Sequence, residues 1–155
     1  MKGNEKVIAA LNALLSDELT AISQYMVHSE MCANWRLEKL HKAVEKRAID
    51  EMKHAEKHIG RILFLEGIPI VSNLKKIMIG PDVETQLSND RTSETGAILA
   101  YNESIRLAVD CGDNGTREML EGILTDEEAH LDWLEAQLDQ VRLLGIKNYL
   151  SEQVG

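Results

Sequence analysis

The sequence has few aromatic residues, prolines and cysteines. Aromatics make up 4% of its 155 residues, and there are two prolines and two cysteines. Two cysteines are too few for the disulfide framework of a small scaffold. Apolar runs stop at about four or five residues, far short of a membrane span. A core with so few aromatics must be built from Leu, Ile, Val, Ala and Met, which favours packed helices.

Charge and length restrict the function further. The chain has 26 acidic and 17 basic side chains, for a formal net charge of −9. This balance argues against a nucleic-acid-binding protein and suits a protein that handles cations. Charged residues interrupt the N-terminal segment before a signal-type apolar core can form. The sequence therefore predicts a single domain over residues 1–155, located in the cytoplasm, without a membrane or nucleic-acid partner.

Apolar residues recur at helical spacing along four segments. Their steps of three, four or seven place them on one face of a helix, and no segment shows sustained strand alternation. The pattern predicts four helices of about 25–30 residues and a short fifth helical segment, Ile146–Gln153. The four apolar stripes are Ile8, Leu11, Leu15, Ile22 and Tyr25; Leu40, Val44, Ala48, Ala55, Ile62 and Leu65; Val83, Leu87, Ile98, Tyr101, Ile105 and Ala108; and Met119, Ile123, Leu134, Leu138 and Val141.

Turn-forming residues separate the later helices. Gly67 and Pro69 are expected to close the second helix, Asp82 to cap the third, and Gly145 to end the fourth. The connection Gly67–Pro81 is unusually long for a helix bundle. Because it can run the whole length of the bundle, we expect the second and third helices to be parallel. This is an all-α four-helix bundle with one long crossover.

The sequence also resembles itself at an offset of 76 residues. Glu18 falls on Glu94 and Tyr25 on Tyr101, while the segment 50–54 falls on 126–130. Both segments begin with Asp-Glu and end with His. The chain is therefore predicted to consist of two similar helical hairpins joined by the crossover.

The repeat places glutamates where the apolar stripes should continue. Buried carboxylates without partners would each cost several kcal/mol. A single Glu-x-x-His is usually a solvated helix face, but two copies and two isolated glutamates share the same offset here. A Glu from two helices with Glu-x-x-His from the other two is the donor set of a dinuclear carboxylate site, suited to iron or manganese. The predicted ligands are Glu18, Glu51, His54, Glu94, Glu127 and His130.

Two tyrosines are predicted to support this site. Tyr25 and Tyr101 lie seven residues after Glu18 and Glu94, about two turns along the same face. Each is placed to donate a hydrogen bond to a ligand carboxylate of the other hairpin. The alternative interpretation is a partly buried core tyrosine, and the two interpretations are compatible.

The remaining histidines are not assigned to the site. His58 lies four residues beyond His54, but the repeat places Leu134 at the equivalent position, and the ligand set is complete without His58. His28 and His41 are expected to be ordinary surface or interface residues. Cys32 and Cys111 are expected to be small buried or partly buried side chains.

These motifs resemble those of bacterioferritins over nearly the whole chain, including the long crossover. The resemblance implies a ferritin-like bundle in which Glu18 and His54 bind one iron, Glu94 and His130 the other, and Glu51 and Glu127 bridge. It implies a ferroxidase that oxidises Fe(II) with dioxygen or hydrogen peroxide and stores ferric mineral in a hollow cage of 24 subunits. The short fifth helix would line its fourfold pores. Further matching segments are 61–67, 133–135 and 148–150.

Met52 lies on the helix face next to the metal ligands, and its role has two interpretations. One step from Glu51, it points about 100° away from them. Taken alone, an outward Met is an apolar subunit contact. The resemblance instead implies that Met52 from each of two twofold-related subunits ligates haem b through sulfur, with a small [2Fe–2S] ferredoxin as reductant. The apolar residues with the spacing to surround the haem are Leu19, Ile22, Met26 and Ile49.

One position departs from the family pattern. Some bacterioferritins have His at position 46 in an inner-surface iron site with Asp50, whereas this chain has Lys46.

Two alternative functions remain open: a haem-free ferritin-type cage, and a stand-alone dimetal oxidase or peroxidase. The positions that match residues lining iron-entry pores in the family are Asn34, Glu66, Asp132 and Asp139.

Overall fold

Four long helices and one short helix account for nearly all regular structure. The computed structural model describes residues 1–155 and contains no strand. This confirms the predicted all-α class, with a fifth helix shorter than the predicted segment. The helices are α1 (Glu5–Asn34), α2 (Glu38–Phe64), α3 (Val83–Asp110), α4 (Asn114–Leu144) and α5 (Ile146–Ser151). None of them is both long and apolar enough to cross a bilayer.

The four helices run up, down, down and up. The backbone N–H of Gly3 donates to the Leu65 carbonyl at 3.0 Å, so the start of α1 meets the end of α2. Tyr101 of α3 reaches Glu18 of α1, and Gln24 donates to Asp90 at 2.8 Å. Because both α2 and α3 are antiparallel to α1, they are parallel to each other, which confirms the predicted crossover topology.

Two apolar clusters fill the bundle and leave a gap between them. One cluster contains Leu11, Leu15 and Ile123 and lies toward the start of α1. The other contains Leu40 and Leu87, together with Tyr149 of α5. On every long helix the predicted metal ligands lie between these clusters, so the ends of the bundle are packed with apolar side chains and its middle is polar.

The crossover is fastened to α1 by a regular set of side chains. Every fourth residue of α1 hydrogen-bonds to the crossover backbone, and we call this set the α1 ladder: Asn12, Ser16, Thr20, Gln24 and His28. Their partners are, in order, backbone groups of Ile68 and Ile70, Asn73, Lys75, Met78 and Gly80. A connection with little regular structure thereby satisfies its backbone polar groups.

The expectation for His28 was wrong, because this side chain is completely buried. Its Nε2 accepts the backbone N–H of Gly80 at 3.0 Å and therefore carries no proton. The other ring nitrogen, Nδ1, is then the one that donates to Asp90, at a distance of 2.9 Å. His28 therefore joins the crossover to α3. His41 is partly buried and lies 3.0 Å from the Ser29 hydroxyl.

The helix ends follow the predicted turn chemistry in part. Asp82 caps α3 by accepting the Thr85 N–H at 2.8 Å, and Gly145 ends α4 with φ = 78°. At the end of α2, however, Glu66 rather than Gly67 has the positive φ, 64°. Gly67 is needed for space instead, since a Cβ there would lie 2.7 Å from Ile8.

Candidate metal centre

The six predicted ligands come together in the middle of the bundle. Each of the four long helices contributes at least one of them, and each is only 1–2% exposed. Such burial of four carboxylates is costly unless cations or protons compensate their charge. The six residues are Glu18, Glu51, His54, Glu94, Glu127 and His130.

They form two overlapping groups with the geometry of neighbouring metal sites. Within each group, one donor atom per residue lies within 4.8 Å of all the others. Glu51 and Glu127 belong to both groups, so they lie where bridging carboxylates would be. The first group adds Glu18 and His54, and the second adds Glu94 and His130.

Each of the six residues offers one buried polar atom without a hydrogen-bond partner. His54 Nδ1 is 2.8 Å from Glu127 Oε1, and His130 Nδ1 is 3.1 Å from Glu51 Oε1, but neither pair is aligned as a hydrogen bond. Buried polar atoms are normally satisfied. This set of oxygen and nitrogen donors fits two divalent cations, whose combined charge four carboxylates would balance. The atoms are Glu18 Oε2, Glu51 Oε1, His54 Nδ1, Glu94 Oε2, Glu127 Oε1 and His130 Nδ1.

Two aspartates orient the imidazoles from outside the centre. His54 Nε2 lies 2.9 Å from Asp126 Oδ2, and His130 Nε2 lies 3.4 Å from Asp50 Oδ2. A proton held on Nε2 leaves Nδ1 free to bind a metal. The sequence did not predict this role, although both aspartates directly precede the shared glutamates in the repeat.

The two tyrosines contact the carboxylates as predicted. Tyr101 donates its hydroxyl proton to Glu18 Oε1 at 2.5 Å. Tyr25 donates in the same way to Glu94 Oε1. Each bond joins the first hairpin to the second, which confirms the prediction, and it leaves the other carboxylate oxygen directed at the centre.

The four carboxylates divide into two electrostatic classes. Burial and the neighbouring Glu94 carboxylate raise the pKa of Glu127 to about 9, and burial and Glu18 raise that of Glu51 well above its ordinary value. Burial would also raise the pKa of Glu18 and Glu94, but hydrogen bonds to them outweigh it and lower both values. Without metal, Glu127 therefore holds a proton near pH 7, and the pKa of Glu51 is shifted in the same direction.

A cavity of about 320 Å³ extends from the centre to exposed residues. The ligands Glu18, Glu51, Glu94 and Glu127 line its inner part. Lys75, Lys76 and Thr92 line its outer part, between the crossover and α3. The centre is thus buried and yet within reach of small molecules.

Comparison with known proteins agrees with this arrangement. The model of the family "Ferritin-like domain" matches residues 8–144. The chain is 42% identical to the bacterioferritin of Rhodobacter capsulatus over 149 residues, which cover 96% of this chain and 92% of the relative. The chain belongs to the bacterioferritin family. It is also 38% identical to the bacterioferritin of Brucella melitensis, with the same coverage, and 39% identical to a bacterial ferritin of Synechocystis, with 99% of both chains covered.

Two further positions bear on how the chain compares with the family pattern. Met52 is 46% exposed while Glu51 is buried, so its side chain faces away from the centre as predicted. One oxygen of the Asp50 carboxylate, at the position of the family's additional iron site, is already engaged by neighbouring residues. Its Oδ2 lies 3.3 Å from Lys46 Nζ and 3.6 Å from an Arg47 nitrogen, besides its contact with His130.

Proposed function

We propose that this protein oxidises Fe(II) at the six-residue centre and stores the ferric product in a ferritin-type cage. The observation that carries the proposal is the set of six buried, unpartnered donor atoms, one on each predicted ligand. Membership of the bacterioferritin family supports the storage function. Dioxygen and hydrogen peroxide are both proposed oxidants.

The residues have distinct proposed roles. Glu18 and His54 would hold one iron, Glu94 and His130 the other, and Glu51 and Glu127 would lie between them. When bound, the two Fe(II) ions supply one electron each to the oxidant. Since Glu127 holds a proton near pH 7 in the metal-free protein, it releases that proton as the metals bind. The catalytic residues are thus the ligands themselves, and the remaining contacts fix their orientation.

We further propose a cage of 24 subunits built from twofold dimers, with haem b shared across each dimer. Met52 would supply its sulfur from both subunits, and the group would assist iron release by accepting electrons from a [2Fe–2S] ferredoxin. The exposed side chains of Met26, Ile49 and Met52 suit an apolar group or subunit contact. Two further properties stay predictions: the cytoplasmic location, and the lining of iron-entry pores by four exposed residues. These residues are Asn34, Glu66, Asp132 and Asp139.

The experiment is Fe(II) oxidation by the purified protein, followed by the absorbance of the ferric product. Glu127→Ala and His130→Ala are expected to lose the fast phase of oxidation while keeping their helical circular dichroism. Glu128→Ala changes the exposed neighbour of Glu127 and is expected to react like the wild type. Full activity in the Glu127 and His130 variants would overturn the dinuclear assignment. The visible spectrum and the mass of the assembly separate a haem-containing cage from a haem-free cage and from a small oxidase.

A further inference from the structure

His58 lies behind Tyr101, one hydrogen bond further from the centre than the tyrosine. Its side chain is completely buried, and its Nε2 is 2.6 Å from Tyr101 Oη. The two rings are stacked with centroids 5.8 Å apart. Because Tyr101 donates to Glu18, a continuous chain of hydrogen bonds runs from His58 to a predicted metal ligand.

The direction of the protons in this chain follows from the number of donors. A metal-binding carboxylate only accepts, so Tyr101 must use its single proton on Glu18. The hydroxyl oxygen then accepts a proton from His58 Nε2. Burial lowers the pKa of His58 to about 4, so the imidazole is neutral near pH 7 and its Nδ1 carries no proton. That Nδ1 has no hydrogen-bond partner, and a buried acceptor of this kind destabilises the fold. The one hydrogen bond of the imidazole is therefore the one at Nε2.

The internal repeat provides a comparison within the same molecule. Tyr25 donates to Glu94 just as Tyr101 donates to Glu18. The position equivalent to His58, however, is Leu134, an apolar core residue. The two halves of the centre thus share the carboxylate, imidazole and tyrosine, and they differ in the group behind the tyrosine.

We propose that His58 is a positioning residue that polarises the Tyr101 hydroxyl toward Glu18 and so strengthens one of the two metal sites. A hydrogen bond donated to the tyrosine oxygen makes its hydroxyl a stronger donor. That donor holds Glu18 Oε1 and leaves Oε2, the unpartnered oxygen, directed at the metal. The Glu94 half has no such reinforcement. This inference rests on the proposed dinuclear centre.

The test is a titration of the protein with Co(II), a divalent ion used in place of Fe(II), followed by the visible absorbance of the bound ion. The wild type is expected to bind two Co(II) per chain. Loss of a hydrogen bond made directly to a metal ligand usually weakens binding about 10- to 100-fold, and His58 lies one hydrogen bond further out, so the low end applies. His58→Leu is therefore expected to weaken the binding of one Co(II) about tenfold and to leave the affinity for the other unchanged. His58→Gln, whose amide keeps an N–H donor, is expected to restore the affinity.

Double variants show whether the effect passes through Tyr101. Adding His58→Leu to Tyr101→Phe is expected to change nothing further, whereas adding it to Tyr25→Phe is expected to have its full effect. If His58→Leu does not fold, His58→Met fills similar space without the donor and allows the same comparison. Unchanged affinities in these His58 variants, equal weakening of both sites, or no rescue by Gln would overturn the inference alone. A wild type that binds fewer than two Co(II) would overturn the dinuclear centre as well.

Discussion

Among the single residues of the centre, Glu127 has the clearest thermodynamic consequence. Its pKa is about 9 in the folded, metal-free protein, whereas a carboxyl in an unfolded chain titrates near 4.5. The folded state therefore holds a proton that the unfolded state has lost, and stability falls as the pH rises between these values. We expect the thermal midpoint of the chelator-treated protein to fall from pH 5 to pH 9.

Glu127→Gln is expected to flatten this pH dependence, because the amide does not titrate. Glu128→Gln, at the exposed neighbouring position, should leave the slope unchanged. Thermal unfolding at several pH values in the presence of chelator measures both effects. An equal slope in wild type and Glu127→Gln would contradict the assignment of the proton to Glu127.

Asp126 is expected to affect metal binding because it holds the imidazole of His54. Since its Oδ2 lies 2.9 Å from His54 Nε2, Asp126→Ala removes the acceptor that fixes the ring and its tautomer. We expect metal binding at the His54 site to weaken by roughly tenfold, at the low end of the effects seen for such contacts. Isothermal titration with Co(II) measures the loss, and Glu128→Ala serves as the control. Unchanged affinity in Asp126→Ala would show that the aspartate does not orient the ring.

The sequence predicted the ligands better than the residues that orient them. Glu18 and Glu94 stand out because a charge interrupts an apolar stripe, and that signal is local to one helix. Asp126 and His28 have no such signal. Their partners lie on other segments of the chain, so their roles depend on the register between helices, which spacing within one helix does not encode.

Among the structural elements, the crossover depends most on side chains outside itself. Gln24 is buried, donates to Asp90 at 2.8 Å and accepts the Met78 N–H at 3.0 Å. Gln24→Ala leaves the Met78 N–H without its acceptor, at a cost of about 1–3 kcal/mol, whereas Asp90 keeps its contact with His28. We therefore expect a clear fall in the thermal midpoint. Ser23→Ala, which removes only a bond to the Leu19 carbonyl of the same helix, is the matched control and should change the midpoint little.

The start of α4 combines a helix cap with an ion pair. Asp113 accepts the Thr116 N–H at 3.0 Å and an Arg61 N–H at 2.8 Å. Asp113→Ala is expected to cost about 0.5–2 kcal/mol in unfolding free energy, the usual range for a lost cap. Asp110→Ala, at an exposed position before the turn, is expected to change it little. Denaturant unfolding measures the difference.

The contribution of Asp113 to the unfolding free energy depends on pH. Burial would raise the pKa of Asp113, but hydrogen bonds from Thr116 and Arg61 outweigh it and lower the value below the usual 3.8. A lowered carboxyl pKa stabilises the fold above the unfolded value and loses that effect as the pH falls. The wild type and Asp113→Ala should therefore converge in stability below about pH 4. A constant difference across that range would contradict the role of the carboxylate.

Most of the fold was predictable from periodicity, and its turns were less so. All four apolar stripes are buried or partly buried in the structure. The turn between α1 and α2 has no glycine or proline to signal it, and Arg36 adopts φ = 65° there. Tertiary packing of the hairpin decides such a turn, because the local sequence does not favour the left-handed conformation.

At the scale of the whole molecule, a formal net charge of −9 for the chain is combined with many exposed apolar side chains. Ile68, Ile70, Val71 and Leu74 of the crossover are all exposed. Single proteins in solution rarely expose large apolar patches, which instead mark contacts with other molecules. This agrees with the proposed assembly of subunits around a cage.

The haem proposal is tested on the same assembled protein. Met52→Leu keeps the size and apolar character of the side chain but removes its sulfur, so the haem absorbance is expected to be lost. Fe(II) oxidation should continue at the wild-type rate, since Met52 faces away from the ligands. Met26→Leu makes the same chemical change at another exposed methionine and should keep the haem. Equal loss of absorbance in both variants would show that the apolar surface, rather than the Met52 sulfur, holds the group.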